Sequence, residues 1–262
     1  MKVEREEFAL RSLLGLKKYE KVISEADSSL EPGIKALGLR AKYDSPSTSE
    51  ASKLSILSEL QAVVSDPSVS ATAQLVAAQT FLSHGEMTKE ALQCVHLGTS
   101  MEHLAITVQI YLRMDRLDLA KQTLETMKQA DEEAVLTQLA SVYIHVYSGR
   151  SGALDAVHLM SSLSEQYGAS TMLLNLMAVA QMTAGQYAEA ENSLNDAVAE
   201  GEDVDTLVNM IVCYQQQGKT MSVIAPVIEK VKAAYPSHPF VQGLLRVEGA
   251  FERESLKYKV TA

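Results

Sequence analysis

A chain of 262 residues, 47% of them hydrophobic and with a formal charge of −10, is long and apolar enough to bury a sizeable core. That charge makes it a poor partner for nucleic acid or an anionic membrane surface, both of which need clustered Lys and Arg. Six Pro, 13 Gly and no Trp amid abundant Ala, Leu, Ser, Glu and Gln give a helix-forming composition with little strand material.

The first residues, MKVEREEFALRSLLG, are charged from the start, so no signal peptide is expected. Phe8, Leu10, Leu13 and Leu14 form an apolar stripe, Leu16 to Tyr19 carries a turn, and Val22, Ile23 and Ala26 continue a second helix. Pro32 and Gly33 are expected to punctuate the chain. A helix with Ile34, Leu37, Leu39 and Tyr43 then leads into Asp44-Ser45-Pro46-Ser47-Thr48-Ser49, the most polar stretch of the sequence. Ser47 or Thr48 is expected to cap the following helix, which carries Leu54, Leu57, Leu60 and Val63 and reads as longer than its counterparts. Asp66-Pro67 is expected to close it.

From here the pattern becomes regular. Leu75, Ala77, Ala78 and Phe81 form one helix, Gly85 breaks it, and Ala91, Leu92 and Val95 form the next, with Gly98 as a helix end. Leu104, Ala105, Val108 and Tyr111 are followed by a turn at Asp115-Arg116, then by Leu117, Leu119, Ala120, Leu124 and Met127. Asp131-Glu132-Glu133 suits the start of a helix, where negative charge faces the dipole. That helix carries Leu136, Leu139, Ala140 and Tyr143, and its partner Leu154, Ala156, Val157, Met160 and Leu163. Ala140 to Ala178 is 38 residues against 32 for Val108 to Ala140. The excess is assigned to an insertion in the loop Ser148 to Gly152.

The stretch from Thr171 to Pro236 shows the organising unit. Leu174, Met177, Ala178 and Gln181 form one row, Gly185 breaks it, and Tyr187, Ala190, Leu194 and Ala197 form another. Leu207, Met210, Ile211 and Tyr214 repeat the first row, Gly218 repeats the break, and Val223, Val227 and Lys230 take the second-row slots. Gly185 to Gly218 is 33 residues, close to the period of about 34 of a tetratricopeptide (TPR) repeat. Small residues at Ala178, Ala190 and Ala120 allow antiparallel helices to approach closely. One hairpin cannot bury its own apolar face, so neighbours must stack on it. After Pro236, a last charged helix with Val241, Leu244, Leu245, Val247, Phe251 and Leu256 reads as a cap reaching about Tyr258.

The expected fold is therefore all-α: a TPR-like right-handed superhelix of about seven helical hairpins plus a C-terminal capping helix. It is read as a single domain over 1–262, with degenerate repeats over 1–66, regular repeats over 67–236 and the cap over 237–258. No apolar run approaches the ~20 residues of a membrane span.

No constellation supports catalysis, a cofactor or a metal. Gly218-Lys219-Thr220 resembles the end of a phosphate loop, but Cys213 stands where that motif needs a glycine and a helix precedes it. The six histidines show no ligand spacing. Cys94 and Cys213 form neither a CxxC pair nor a disulfide framework and read as buried thiols. Glu4, Glu6 and Glu7 read as a solvated face. Met172 and Met182 lie off the intra-repeat seam, as adaptable partner contacts or as filling against the next repeat. What remains is an inner face lined by first helices, whose exposed positions are expected to be Gln109, Leu112, Thr137, Ser141, Asn175, Val179, Met182, Asn209 and Val212. That set is small and weakly charged, suiting an extended or hairpin-like protein segment. Asn175→Arg is expected to weaken partner binding with helicity intact. A TPR adaptor or cochaperone that clamps a chaperone C-terminus is the alternative, but it needs Lys and Arg at those positions.

Four stretches carry a resemblance to a known family: MEHLAITVQIYLRMDRLDL at Met101 to Leu119, DEEAVLTQLA at Asp131 to Ala140, the segment Leu173 to Asn209, and SHPF at Ser237 to Phe240. Together they resemble the epsilon subunit of coatomer, most strongly from Gln74 to Phe251. The resemblance implies a structural subunit of the COPI vesicle coat that binds and stabilises the C-terminal region of the coatomer alpha subunit, and contacts other coatomer subunits through it. It further implies a place in the membrane-distal part of the coat. It also implies transport from Golgi to endoplasmic reticulum and within the Golgi, and a cytoplasmic protein held on Golgi membranes and vesicles only through the coat. Relative to that family the chain reads as starting one helical pair late, and residues 44–53 are richer in serine.

Overall fold

The computed structural model describes residues 2–66 and 69–258; Pro67, expected to close a helix, lies outside the described residues. Fifteen α-helices and no strand are present among the described residues, in two compact units, Met1–Ile144 and His145–Ala262. The first unit holds α1 (Lys2–Gly15), α2 (Tyr19–Ala26), α3 (Pro32–Asp44), α4 (Glu50–Val63), α5 (Ala71–His84), α6 (Thr88–Val95), α7 (Met101–Arg113), α8 (Leu117–Ala130) and most of α9 (Val135–Tyr147). The second holds the last turn of α9, then α10 (Arg150–Tyr167), α11 (Thr171–Ala184), α12 (Tyr187–Glu200), α13 (Val204–Gln216), α14 (Met221–Ala234) and α15 (Pro239–Leu256). In chain order α1–α2, α3–α4, α5–α6 and α7–α8 pair within the first unit and α11–α12 and α13–α14 within the second, with α15 following them.

The pairs are built by two recurring local devices. Several helices start on a serine: the side chains of Ser49, Ser70, Ser100 and Ser170 accept the backbone N–H three residues on, at the starts of α4, α5, α7 and α11. At the hairpin turns a residue with positive φ ends the first helix: Lys17, Gly85, Asp115, Gly185 and Gly218, with φ between 56° and 90°. At four of these turns the next residue donates its N–H five places back, as Lys18 to Leu13, Arg116 to Tyr111, Gln186 to Gln181 and Lys219 to Tyr214, at 2.8–3.0 Å. This double-bonded helix end satisfies carbonyls that would otherwise lack partners. Lys17 and Asp115 do the work of glycine, and for that reason glycine spacing alone reveals only part of the repeat.

Each unit has its own core. In the first, Leu10, Val22, Ile34, Leu37, Leu60, Phe81, Val95 and Ile110 pack into one cluster. Val108, Ala120, Leu124, Met127, Ala140 and Ile144 form a second. In the second unit Ala178, Ala190, Leu194 and Cys213 meet at one seam, and Leu207, Ile211, Tyr214, Ile224, Val231 and Val241 pack at the C-terminal end. Ala120, Ala178 and Ala190 are fully buried, as close helix approach requires.

Several sequence expectations need correction. Pro32 punctuates the chain by opening a helix, and Gly33 lies inside that helix rather than in the break. The proline occupies the first turn of α3, where its missing N–H costs nothing. Ser49, rather than Ser47 or Thr48, caps α4, because the Ser47 side chain bonds to Ser45 in the loop and the Thr48 hydroxyl bonds back to the Lys42 carbonyl of α3. α4 has 14 residues, the length of α8, α12 and α14. The extra residues between Ala140 and Ala178 lie in a longer helix, not a longer loop: α10 has 18 residues and starts at Arg150. Glycine at position 152 permits this, since a Cβ there would sit 2.7 Å from the His145 carbonyl oxygen. Finally, Glu7 is buried rather than solvated and accepts a 2.6 Å hydrogen bond from the Thr72 hydroxyl, joining α1 to α5.

Candidate functional site

The nine positions assigned to the inner face divide by burial, taken within each unit separately. In the first unit Gln109 on α7 is exposed and Leu112 is half-buried against the α7–α8 core. Thr137 and Ser141 on α9 are not exposed: they are 1% and 7% accessible. The Thr137 hydroxyl donates to the Asp131 carbonyl at 2.8 Å and touches the Met101 sulfur at 3.5 Å, so this side of α9 faces α7. Ser141 donates back to the Thr137 carbonyl. Four residues apart on α9, the two share one helix face, the one Thr137 turns toward α7.

In the second unit Val212 is exposed and Val179 half-buried. Met182 packs into the seam with Ala178 and Leu194, while Met172 is 54% exposed. The two methionines therefore part company: Met182 fills the seam, and Met172 is the one open to a partner. Asn175 and Asn209 form a ladder between α11 and α13. The Asn175 amide donates to the Thr206 hydroxyl at 2.6 Å and to the Thr171 carbonyl at 3.0 Å, and Asn209 donates to the Asn175 carbonyl oxygen at 3.1 Å. These amides hold successive first helices in register. Asn175→Arg would break that ladder, so it cannot test partner binding with the helices left intact.

A polar cluster closes the α12–α13 contact. Gln217 donates to the Tyr187 carbonyl and to Glu191, and the Lys219 ammonium lies 2.6 Å from Glu191 and 3.9 Å from the centre of the Tyr214 ring. The Lys219 hydrogen bond is the main cause holding the Glu191 carboxyl below its ordinary range. Gly218-Lys219-Thr220 is thus a helix–helix turn with its lysine engaged. His103 is buried, with its ring between the Ser100 hydroxyl and the Gln74 side chain, and burial pushes its pKa down. Burial also pushes the half-buried Cys94 thiol up to about 11, which leaves it unreactive.

The sequence reading missed the apolar side chains left on the surface. α15 fully buries only Val241, while Leu245, Val247, Phe251 and Leu256 are exposed, Phe251 to 74%. Its apolar spacing was legible; that most of those side chains stay exposed among the described residues was not. Among the described residues no His, Cys, Asp or Glu group could hold a metal, and no helix is long and apolar enough to cross a membrane.

Comparison with known proteins decides the family. Residues 1–259 match the family described as Coatomer epsilon subunit. The chain belongs to the coatomer epsilon subunit family. It is 35% identical over 254 residues to coatomer subunit epsilon-1 of Arabidopsis thaliana, covering 96% of this chain and 85% of that one. It is 31% identical to coatomer subunit epsilon of Caenorhabditis elegans, over 78% of this chain and 70% of the other. A solved tetratricopeptide repeat protein from Parabacteroides merdae superposes with a TM-score of 0.60 at 15% identity, over 87% of this chain and 97% of that chain. The fold is therefore all-α and TPR-like. Membership of the family makes the chain a structural subunit of the COPI coat rather than an enzyme, with its partners inside the coatomer complex.

Proposed function

We propose that the chain binds and stabilises the C-terminal region of the coatomer alpha subunit, and through it joins the COPI coat on Golgi membranes and vesicles in Golgi-to-ER and intra-Golgi transport. The observation that carries this reading is the outer face of α15. A helix that only terminates an array needs a polar outer face. Here Leu245, Val247, Phe251 and Leu256 are left in water. Covering one such side chain contributes about 1.5–3 kcal/mol. Gln109, Leu112, Met172, Val179 and Val212 add weakly charged first-helix surface that suits a polypeptide backbone, with Met182, Asn175 and Asn209 packing or holding the helices beneath it. The single-array organisation over 1–262 is part of this proposal.

The TPR cochaperone reading finds no support at these positions, since the exposed ones, Gln109 and Val212, carry no positive charge for a C-terminal carboxylate. The test is co-expression with the C-terminal region of the alpha subunit, followed by size-exclusion chromatography. Equimolar co-elution is expected. Two folded proteins eluting separately would overturn the proposal.

A further inference from the structure

The serine-rich loop between α3 and α4 has no part in the partner surface described above. Its hydroxyls have distinct tasks. Ser45 is buried and shares a 2.9 Å hydrogen bond with Ser47. Thr48 donates to the Lys42 carbonyl and so closes the end of α3, and Ser49 caps α4. Ser47 is exposed, and its side chain caps neither helix. It is the one hydroxyl of the loop that can be derivatised without removing a helix end.

Ser47 also has an unusual wall in front of it. A cleft of about 480 Å³ is lined by Ser45, Pro46 and Ser47 on one side and by Lys17, Lys18, Tyr19, Glu20 and Lys21 on the other. Three lysines within five residues invert the local sign of an acidic chain. Lys17 is held at the turn by its positive φ, and the 3.0 Å bond from the Lys18 N–H to the Leu13 carbonyl fixes the turn. Among the described residues neither Lys17 nor Lys18 forms an ion pair, and Lys21 meets Glu25 only at 3.9 Å. Glu20 is the one carboxylate in the wall of this cleft, and Asp44 nearby is engaged by Arg40 at 2.6 Å. The cleft thus holds surplus positive charge facing an available hydroxyl.

We propose that Ser47 is a phosphorylation site whose phosphate is received by Lys17, Lys18 and Lys21, independently of the coat partner. A protein kinase transfers the γ-phosphoryl of a nucleoside triphosphate: the Ser47 Oγ–P bond forms, the bond to the β-phosphate oxygen breaks, and the nucleoside diphosphate leaves. The hydroxyl proton passes to the kinase's base. Asp44 and Glu50, three residues to either side of Ser47, give the acceptor an acidic sequence context. The product carries about −1.5 to −2 charges at pH 7 and three acceptor oxygens. It ties the α3–α4 loop to the α1–α2 turn by charge-assisted hydrogen bonds.

The test installs phosphoserine at position 47 of the full chain during translation, in the native background and in Lys17→Gln/Lys18→Gln/Lys21→Gln. Phosphorus NMR then reads the second ionisation of the phosphate, near pH 6 when free. In the native background it is expected to fall by roughly half a unit or more, and to return to the free value in the Gln background and in 1 M salt. Equal titration in both backgrounds would overturn the proposal. The three lysines are exposed, so the Gln variant should keep its helicity; if it does not fold, the salt dependence of the native chain decides. Mass spectrometry of the protein from its own cells should find phosphate on Ser47; phosphate confined to other residues, or absent, would equally overturn it.

Discussion

The first hairpins and the α11–α14 region solve the same packing problem with different residues. Around α11 and α12, alanines at 178 and 190, on facing helices of one hairpin, bring the helices together beside Leu194, and Gly185 and Gly218 turn the chain. Around α2 and α3 the close approach depends on Gly38, where a Cβ would lie 2.6 Å from the Ala26 Cβ. The turn between α1 and α2 uses Lys17, and a buried Glu7–Thr72 hydrogen bond joins α1 to α5. Helix pairing needs a small residue at the crossing and a left-handed residue at the turn. It does not need the same residue types each time, so repeats can lose their consensus and keep their geometry.

The largest effects should come from emptying the two cores. Phe81→Ala should cost about 3–5 kcal/mol and Leu194→Ala about 2–5 kcal/mol. Hydrogen exchange should localise the first loss to α3–α6 and the second to α11–α13. Uniform loss of protection from both changes would contradict the division into two compact units.

Overfilling the crossings comes next. Ala190→Leu and Ala120→Leu should each cost about 1–3 kcal/mol. Gly38→Ala should also destabilise, although alanine is the better helix former by about 1 kcal/mol, because the Ala26 methyl has no room to give. Chemical denaturation reads all three. A stabilised Gly38→Ala would show that the α2–α3 crossing is looser than described.

Acid should separate the regions more gently. Burial lowers the folded-state pKa of His103 from its ordinary 6.5. The unfolded chain therefore binds a proton that the folded chain refuses. Stability from this group is complete above about pH 6.5 and is lost as pH falls toward the lower folded value. Glu191 in the second unit is lowered instead from 4.5 by Lys219, so its contribution is complete above that value and disappears only as pH falls further. Melting curves should show the α5–α7 region weakening first, and His103→Gln should remove that early step. The smallest effect is at the turns: Asp115→Gly should stabilise by a few tenths to about 1 kcal/mol, because glycine relieves the positive φ.

How far the sequence can be read follows from the same comparison. Helix identity and pairing were legible because apolar rows recur every three to four residues and Ala120 and Ala190 fall in matching second-helix slots, while the family was legible only from the resemblance of particular stretches such as Met101 to Leu119. The face each first helix turns outward was only partly legible. Thr137 and Ser141 are polar and small, as an open surface would be, yet they line the contact between α9 and α7. Asn175 and Asn209 are polar because they bond each other across helices. A side chain's polarity does not say whether its partner is water, a neighbouring helix or another protein. Phe251 shows the converse, an apolar residue in a helical row that is 74% exposed among the described residues.

The most direct measurement is isothermal titration of the purified full chain with the C-terminal region of the alpha subunit at several temperatures. Saturable equimolar binding with a negative heat-capacity change is expected, since apolar surface such as that of α15 leaves water on binding. Phe251→Ser should weaken the binding without altering helicity. No heat of binding between two folded proteins, or binding that Phe251→Ser leaves untouched along with an exposed first-helix change such as Val212→Arg, would contradict the account.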